Sequence, residues 1–353
     1  MDLRILDTNF QTIKVLDAYD SLVWRESYYK AGSFELFTEV NPSVLEFAQK
    51  ENYIVMKDTD RVMIIEDIAI DTDIDTGNFF KITGRSLESI IDRRIVWGLK
   101  TYNGNLQNGI KALLNESIIA PSDSNRKISN FIFKETNDPT VTSLTIDTQW
   151  TGDNIYDIVS GLCYVYDIGY KITLNNSNQF VFELYAGADR TYDQDKNPYV
   201  IFSPTFENLV NSNYYESNSN LKNITLIGGQ GEGKDRIYTT YGSGSGLSRR
   251  ELFTDARDLA PKDPETEKDL TESQYKTLLQ NRGKAKLDEH IEIVAFEGEV
   301  ESQKSFVYNK DFFLGDVVQL ENEYGFIGET RILEVVTSMD QTGYSVYPTF
   351  SII

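Results

Sequence analysis

The sequence predicts an α+β chain dominated by antiparallel β-sheet, with a barrel-like unit at each end and a mixed region between. Three observations carry this. Short runs of β-branched and aromatic residues alternate with turn-prone stretches, and 21 Tyr and 19 Phe favour a pleated, half-buried surface. At about 100 to 200 residues per domain, a chain of 353 residues makes two or three units. The boundaries expected are 1–100, 101–204 and 205–353.

In the first hundred residues, Thr12–Ala18, Val23–Tyr29 and Ser33–Thr38 read as strands, separated by turn residues such as Gly32 and Asn41-Pro42. Tyr53–Lys57 and Arg61–Asp71 pair around Asp58-Thr59-Asp60, and Phe79–Thr83 follows the polar loop Thr72–Asn78. Closely spaced antiparallel strands of this kind point to a small barrel or curled sheet. Ser86 is placed to cap a helix whose Leu87, Ile90, Ile91 and Ile95 form one apolar stripe.

The middle mixes elements. Leu106, Ile110, Leu113, Leu114 and Ile118 recur at helical spacing before Pro121, and a polar stretch Ser122–Lys127 follows. β-like runs surround Phe131 and Leu144, and a second helix starts at Asp153 with Ile155, Ile158, Val159 and Leu162 inward. Tyr164–Leu174 and Gln179–Tyr185 read as a hairpin around Asn175–Asn178. Beyond Arg190 the chain is polar until a strand at Asn223–Ile227. Gly228–Pro264, rich in Gly and Ser, reads as an irregular, mobile loop. A helix over 271–287 follows, with a Thr271/Gln274 capping box and a Leu270/Tyr275 staple. The last strands expected are Ile291–Phe296, Ser305–Tyr308, Asp316–Leu320, Glu329–Ser338 and Gly343–Pro348. No short period repeats.

Composition excludes several classes. No run of about 18 apolar residues exists, and MDLRILDTNF lacks the apolar core of a signal peptide. The expectation is a soluble chain made in a cytoplasm, without membrane insertion. Cys163 alone allows neither an internal disulfide nor a zinc spacing. A net charge of −21 opposes binding to nucleic-acid phosphates. It reads either as plain solubility or as a surface past which DNA moves without sticking.

Each candidate for chemistry has a plainer reading. Gly228-Gly229-Gln230-Gly231-Glu232-Gly233-Lys234 meets seven positions of a phosphate-binding loop, but Asp235 stands where Ser or Thr should hold magnesium. The following residues look extended, so no helix N-terminus faces an anion. Asp71, Asp73 and Asp75 alternate as calcium ligands might, yet Gly77 falls one place late and Ile82 replaces the bidentate Glu. His290 has no Ser or Cys nucleophile motif near it. Cys163 reads as a small buried hydrophobe. Arg93-Arg94 and Arg249-Arg250 are too small for a nucleic-acid patch and suit ion pairs or interfaces. Acidic residues are too abundant for any glycosidase-like pair to inform. No catalytic, cofactor-binding or metal-ligating residue is expected.

Several blocks resemble a known family. Tyr28-Tyr29-Lys30-Ala31-Gly32-Ser33-Phe34-Glu35-Leu36 is similar to an early stretch of siphovirus and prophage tail hub proteins. Ile64–Ile68, Ile82–Leu87 and Asp92–Ile95 resemble the next block, and Gly187–Thr191, Asn223–Gly233 and Asp311–Val318 resemble later ones. The order of the blocks is more specific than any one of them.

The resemblance implies a relative of the central baseplate hub of contractile tails. Such proteins form homotrimeric rings in which each chain contributes two similar β-barrel domains. The ring joins a hexameric tail tube to a three-fold tip and lets DNA pass. It implies a virion tail-tip location after assembly in a bacterial host cytoplasm. The partners would be a hexameric distal tail or tail-tube protein and tip or fibre proteins. The last expected strand runs almost to Ile353, so no appended lysin or fibre domain is expected. Two rival readings are a cell-wall hydrolase, which needs a cleft with a perturbed acid or nucleophile, and a carbohydrate-binding tail module, which needs aromatic platforms on exposed loops.

Overall fold

The computed structural model describes residues 2–40, 42–57, 59–73, 77–262, 268–300, 305–324, 327–341 and 343–352. The N-terminal part runs β1 (Leu3–Leu6), β2 (Thr12–Leu16), β3 (Ser21–Ser27), β4 (Ser33–Glu39), α1 (Pro42–Phe47), β5 (Tyr53–Met56), β6 (Val62–Asp73) and β7 (Gly77–Ser86). Every strand expected there is present, with shifted ends. Burial alternates along β4 and β5 as one covered face requires. β1 escaped the sequence reading because four residues, one of them Arg4, are too few to display a period.

β6 and β7 extend into the expected Thr72–Asn78 loop. Asp58 and residues 74–76 lie outside the described residues. The helix expected from Ser86 is a 3₁₀ helix, Leu87–Arg93, and Ser86 does not cap it. Ser86 Oγ instead accepts a 2.7 Å bond from Gly32 N, while Ser86 N donates to Gly32 O. Ile95, placed on the buried stripe by its spacing, lies beyond the helix and is exposed.

The middle holds β8 (Leu99–Asn105), α2 (Leu106–Leu114), β9 (Phe131–Lys134), α3 (Pro139–Thr142), β10 (Thr145–Thr151), α4 (Ile155–Val165), β11 (Gly169–Leu174) and β12 (Phe180–Tyr185). The apolar spacing from Leu106 to Ile118 is split: α2 passes into a π-turn at Asn115–Ile119. Asn154, not Asp153, caps α4 by accepting from Tyr156 N at 2.8 Å. Tyr164, expected on a strand, belongs to that helix.

The C-terminal part contains β13 (Ile201–Phe202), β14 (Leu209–Ser217), β15 (Ile224–Gly228), β16 (Tyr238–Gly242), β17 (Glu251–Asp255), α5 (Glu272–Asp288), β18 (Ile293–Val300), β19 (Val317–Glu321), β20 (Ile327–Asp340) and β21 (Gly343–Ile352). Ser305–Tyr308, expected as a strand, forms only an isolated bridge between Tyr308 and Phe312.

The reading of Gly228–Pro264 as irregular is corrected over residues 228–262, while 263 and 264 lie outside the described residues. β16 and β17 flank β15 in a three-stranded sheet that packs on α5 over Ile227, Ala256, Leu259, Tyr275 and Leu279. At Gly228 and Gly229 the missing side chain allows close approach. A Cβ on Gly229 would sit 2.6 Å from the Tyr275 hydroxyl, and one on Gly228 would sit 2.6 Å from the Arg236 guanidinium. The capping box forms as the sequence predicts.

One 13-stranded sheet joins the two ends, in the order β14-β18-β21-β20-β3-β4-β7-β6-β5-β1-β2, with β19 and β13 branching from β20. No sheet closes on itself among the described residues. The same arrangement occurs twice. In the N-terminal unit the order is β3-β4-β7-β6-β5-β1, and in the C-terminal unit it is β14-β18-β21-β20-β19-β13. Chain order and direction match strand for strand until the last, where β1 is antiparallel to β5 but β13 is parallel to β19. Each unit has its own apolar core, and the middle part has a third.

Tyr275 pins the small sheet: its hydroxyl donates to Leu259 O and accepts from Gln230 N, both at 2.8 Å. Tyr275→Phe strands two buried groups and is expected to cost about 1–3 kcal/mol. Limited proteolysis should then open bonds within 228–262 that the parent protects. Equal cutting of parent and variant would contradict this role.

Candidate functional site

The densest polar assembly lies where the N-terminal unit, the middle and the C-terminal unit meet. Tyr28, just after β3, is fully buried there. Cβ atoms on Gly169 and Gly315 would lie 2.2 and 2.3 Å from its ring, so both positions require glycine. Gly315 also has φ +92°, a region L-residues rarely enter. The Tyr28 hydroxyl donates to Tyr185 O at 3.4 Å and accepts from Gly187 N at 3.3 Å. Burial pushes this phenol up to about 12.

Beside it, Arg331 of β20 donates through Nε and Nη2 to Asp167 Oδ2 at 3.0 and 2.7 Å, and through Nη1 to Gly315 O at 2.6 Å. Tyr29 donates to the other Asp167 oxygen. Burial, reinforced by that bond, pushes its phenol far up.

A second cluster surrounds Arg61, which is buried immediately before β6. Its guanidinium pairs with Glu88, reaches Tyr185 Oη at 3.2 Å and lies 3.9 Å from Glu26. Glu88 also accepts from Ile172 N at 3.0 Å, and Glu26 accepts from Thr59 and Tyr308 hydroxyls, each at 2.9 Å. All three parts of the chain meet in this cluster, the C-terminal one through Tyr308 on Glu26. Burial raises the Glu26 carboxyl above its ordinary range, more than Arg61 lowers it.

A third clasp joins the middle to the C-terminal unit. Asp316 is buried and accepts from Ala188 N at 2.7 Å, Arg190 Nε at 2.5 Å and Phe313 N at 3.0 Å.

The residues weighed for chemistry lie elsewhere. Lys234 is exposed in a single 3₁₀ turn, and Arg236 fills the glycine loop by bonding Gly228 O, Gly229 O and Asp255. Asp71 and Asp73 are strand residues paired with Phe79 and Gly77, and Asp75 lies outside the described residues. No group of His, Cys, Asp and Glu able to hold a metal occurs among the described residues. His290 Nδ1 faces Lys286 O at 2.8 Å, at the end of α5. Cys163 is buried, which pushes its thiol up.

Arg93 pairs with Glu51 and Arg249 with Glu251, while Arg94 and Arg250 donate to backbone carbonyls. A cleft of about 340 Å³ opens beside the Arg331–Asp167 pair, between Tyr29, Tyr164, Asp288 and Ile291. Both of its strong partners are already engaged. No helix among the described residues is long and apolar enough to cross a membrane.

Residues 2–350 match the model of the Siphovirus ReqiPepy6 Gp37-like proteins. The chain belongs to that family. The fold of this Gp37-like chain is similar to that of the tail protein from Neisseria meningitidis MC58, with a TM-score of 0.58 and 12% identity, covering 100% of this chain and 96% of that one. The 43 kDa tail protein of prophage MuSo2 from Shewanella oneidensis gives 0.57 and 11%, covering 100% and 98%. Prophage tail protein gp18 from Listeria monocytogenes EGD-e gives 0.54 and 14%, covering 99% and 94%. No curated protein matches the chain.

Most blocks that carried the resemblance converge on the junction of this Gp37-like chain. Gly32 meets Ser86, Arg85 of β7 binds Glu66 and Asp92, and Tyr28 touches Gly187 and Gly315. The Asn223–Gly233 block packs apart, against α5. Sequence reasoning missed Arg61, Glu88, Asp167 and Arg331. The available signal was a lone charge at the head of an apolar run, as in Arg61-Val62-Met63-Ile64-Ile65.

Two variants test the Arg61 cluster. Arg61→Met leaves two buried carboxylates without their cation and is expected to cost about 3–5 kcal/mol. Glu26→Gln keeps partners for Thr59 and Tyr308 but does not titrate. Because the Glu26 pKa is raised on folding, its contribution favours the native state fully below the ordinary 4.5 and drains as pH rises through the folded value. Urea melts across pH should therefore show Glu26→Gln gaining on the parent as pH rises from about 4 to 8. A constant or shrinking difference would contradict the assignment.

Proposed function

We propose that this chain is a structural phage tail-tip hub, not an enzyme: a ring subunit that continues the tail tube and leads to a three-fold tip. The observation that carries the reading is the strand order repeated in the two end units. One chain holds two equivalent tube-like units, so three chains supply the six that a hexameric tube presents. Family membership over residues 2–350 and a fold in common with tail proteins support it.

In this reading the regions 1–100 and 205–353, the latter joined by β13 at Ile201–Phe202, are the tube units, barrel-like once set in a ring, and the rest of 101–204 braces them through the tyrosine and arginine clusters. The partners are two further copies, a hexameric distal tail or tail-tube protein above and tip or fibre proteins below. The site of action is the tail tip, reached after assembly in the host cytoplasm. DNA passes through the lumen without specific binding.

Charge links the reading to mechanism. Three chains at −21 each carry −63. Acidic residues on the lumen wall would repel phosphates and keep a passing genome from adhering, where basic ones would trap it. The same repulsion opposes assembly, and physiological salt screens it over about 8 Å.

Sedimentation of the full chain across concentration and salt tests this. The expected result is a trimer that tightens as salt rises towards physiological strength. A monomer under every condition, with or without the adjoining tail proteins, would overturn the hub reading.

A further inference from the structure

The pairing of β20 with β3 is a contact between the two equivalent units, and its counterpart is left open on each chain. β20 is covered by β19 along Ile327–Arg331 and by β3 along Glu334–Met339. Its equivalent, β6, is covered by β5 along Val62–Ile64. From Asp67 to Asp73 that side of β6 has no strand among the described residues. The equivalent of β3 is β14, which ends the sheet and, among the described residues, pairs only with β18.

The register can be carried over residue by residue. Both hairpins have an irregularity at one place, between Ile65 and Asp67 in β6 and between Ile332 and Glu334 in β20. Asp67–Thr72 therefore corresponds to Glu334–Met339. Next to the irregularities, Ile65 pairs with Gly84, which pairs with Phe34, which pairs with Trp24. In the other unit Ile332 pairs with Phe350, then Phe296, then Tyr214. Tyr214 is thus the counterpart of Trp24, and Tyr215 that of Arg25. Within the chain, Arg25 lies opposite Val336 and Trp24 opposite Thr337. The counterpart contact sets Tyr215 opposite Ala69 and Tyr214 opposite Ile70.

We infer that a second copy of this chain pairs its β14 antiparallel to Asp67–Thr72 of β6, repeating between chains the ladder that β20 and β3 form within one. Exposure agrees with this. Ile70 and Tyr214, which the register sets opposite each other, are 49% and 41% exposed, and Tyr215 is 53% exposed. Proteins rarely leave long apolar edges open to water. The contact joins different surfaces of two copies, so it propagates head to tail and closes only as a ring. The inference rests on the hub reading for the closure at three, and on the topology alone for the pairing.

Directly opposed residues of an antiparallel pair bring their Cβ atoms to about 4.5–5.5 Å, close enough for a disulfide after small adjustment. The full chain carrying Ala69→Cys and Tyr215→Cys is mildly oxidised, and its native mass is measured on the same sample. The expected result is a covalent ladder ending at trimer, absent from either single variant and from Thr72→Cys with Tyr215→Cys, which places the thiols on opposite faces. A trimeric sample that does not cross-link overturns the pairing and leaves the hub reading standing. A ladder running past trimer keeps the pairing and overturns the three-fold ring. A sample that stays monomeric at every concentration and salt, with or without the adjoining tail proteins, overturns both. As an independent readout, Ile70→Lys, at an exposed position, should convert the trimer to monomer with its own melting unchanged. An undiminished trimer would overturn the pairing.

Discussion

The ladder between β3 and β20 makes one body of the chain. It joins residues as far apart in sequence as Ser27 and Glu334, 307 positions. Closing a loop of that length costs about 5 kcal/mol on the chain-entropy scale, before side chains are ordered. A six-residue ladder, with net hydrogen bonding at about 1 kcal/mol each, does little more than offset that cost, so the neighbours that lock it decide the balance. The tyrosine, arginine and aspartate clusters sit at this ladder for that reason, and they tie it to the middle of the chain.

Those clusters are polar where an apolar junction would often be as stable. A buried ion pair loses roughly as much to desolvation as it gains from attraction. What it adds is geometry. Arg61 is satisfied only if Glu88, Tyr185 and Glu26 arrive together, and Asp316 only if Ala188, Arg190 and Phe313 do. A slipped register would leave charges buried and alone. The junction therefore holds the two end units at one angle, which on the proposed hub reading matters more than extra stability.

Much of the local structure was legible. Runs of β-branched and aromatic residues between turn-prone stretches exposed β3 to β7, and the Thr271 capping box was readable because its partners are three residues apart. Non-local features were not. Nothing in Leu22–Ser27 names Glu334–Met339 as its partner, and nothing near Asp167 announces Arg331. Ser86 looked like a cap because the sequence cannot say that Gly32 claims its hydroxyl first. Gly228–Gly233 was misread because glycine serves both motion and close approach, and only Tyr275 and Arg236 in place reveal which applies. The family blocks were visible as words, while their meeting at one junction required the fold.

The central claim is that two equivalent units per chain build one ring. A three-dimensional reconstruction of the assembled particle tests it most directly. The account predicts a three-fold ring with six similar lobes around an acidic lumen, in which lobes within a chain and between chains meet through like strand edges. A particle without paired lobes, or a ring whose chains meet through the middle region instead, would contradict it.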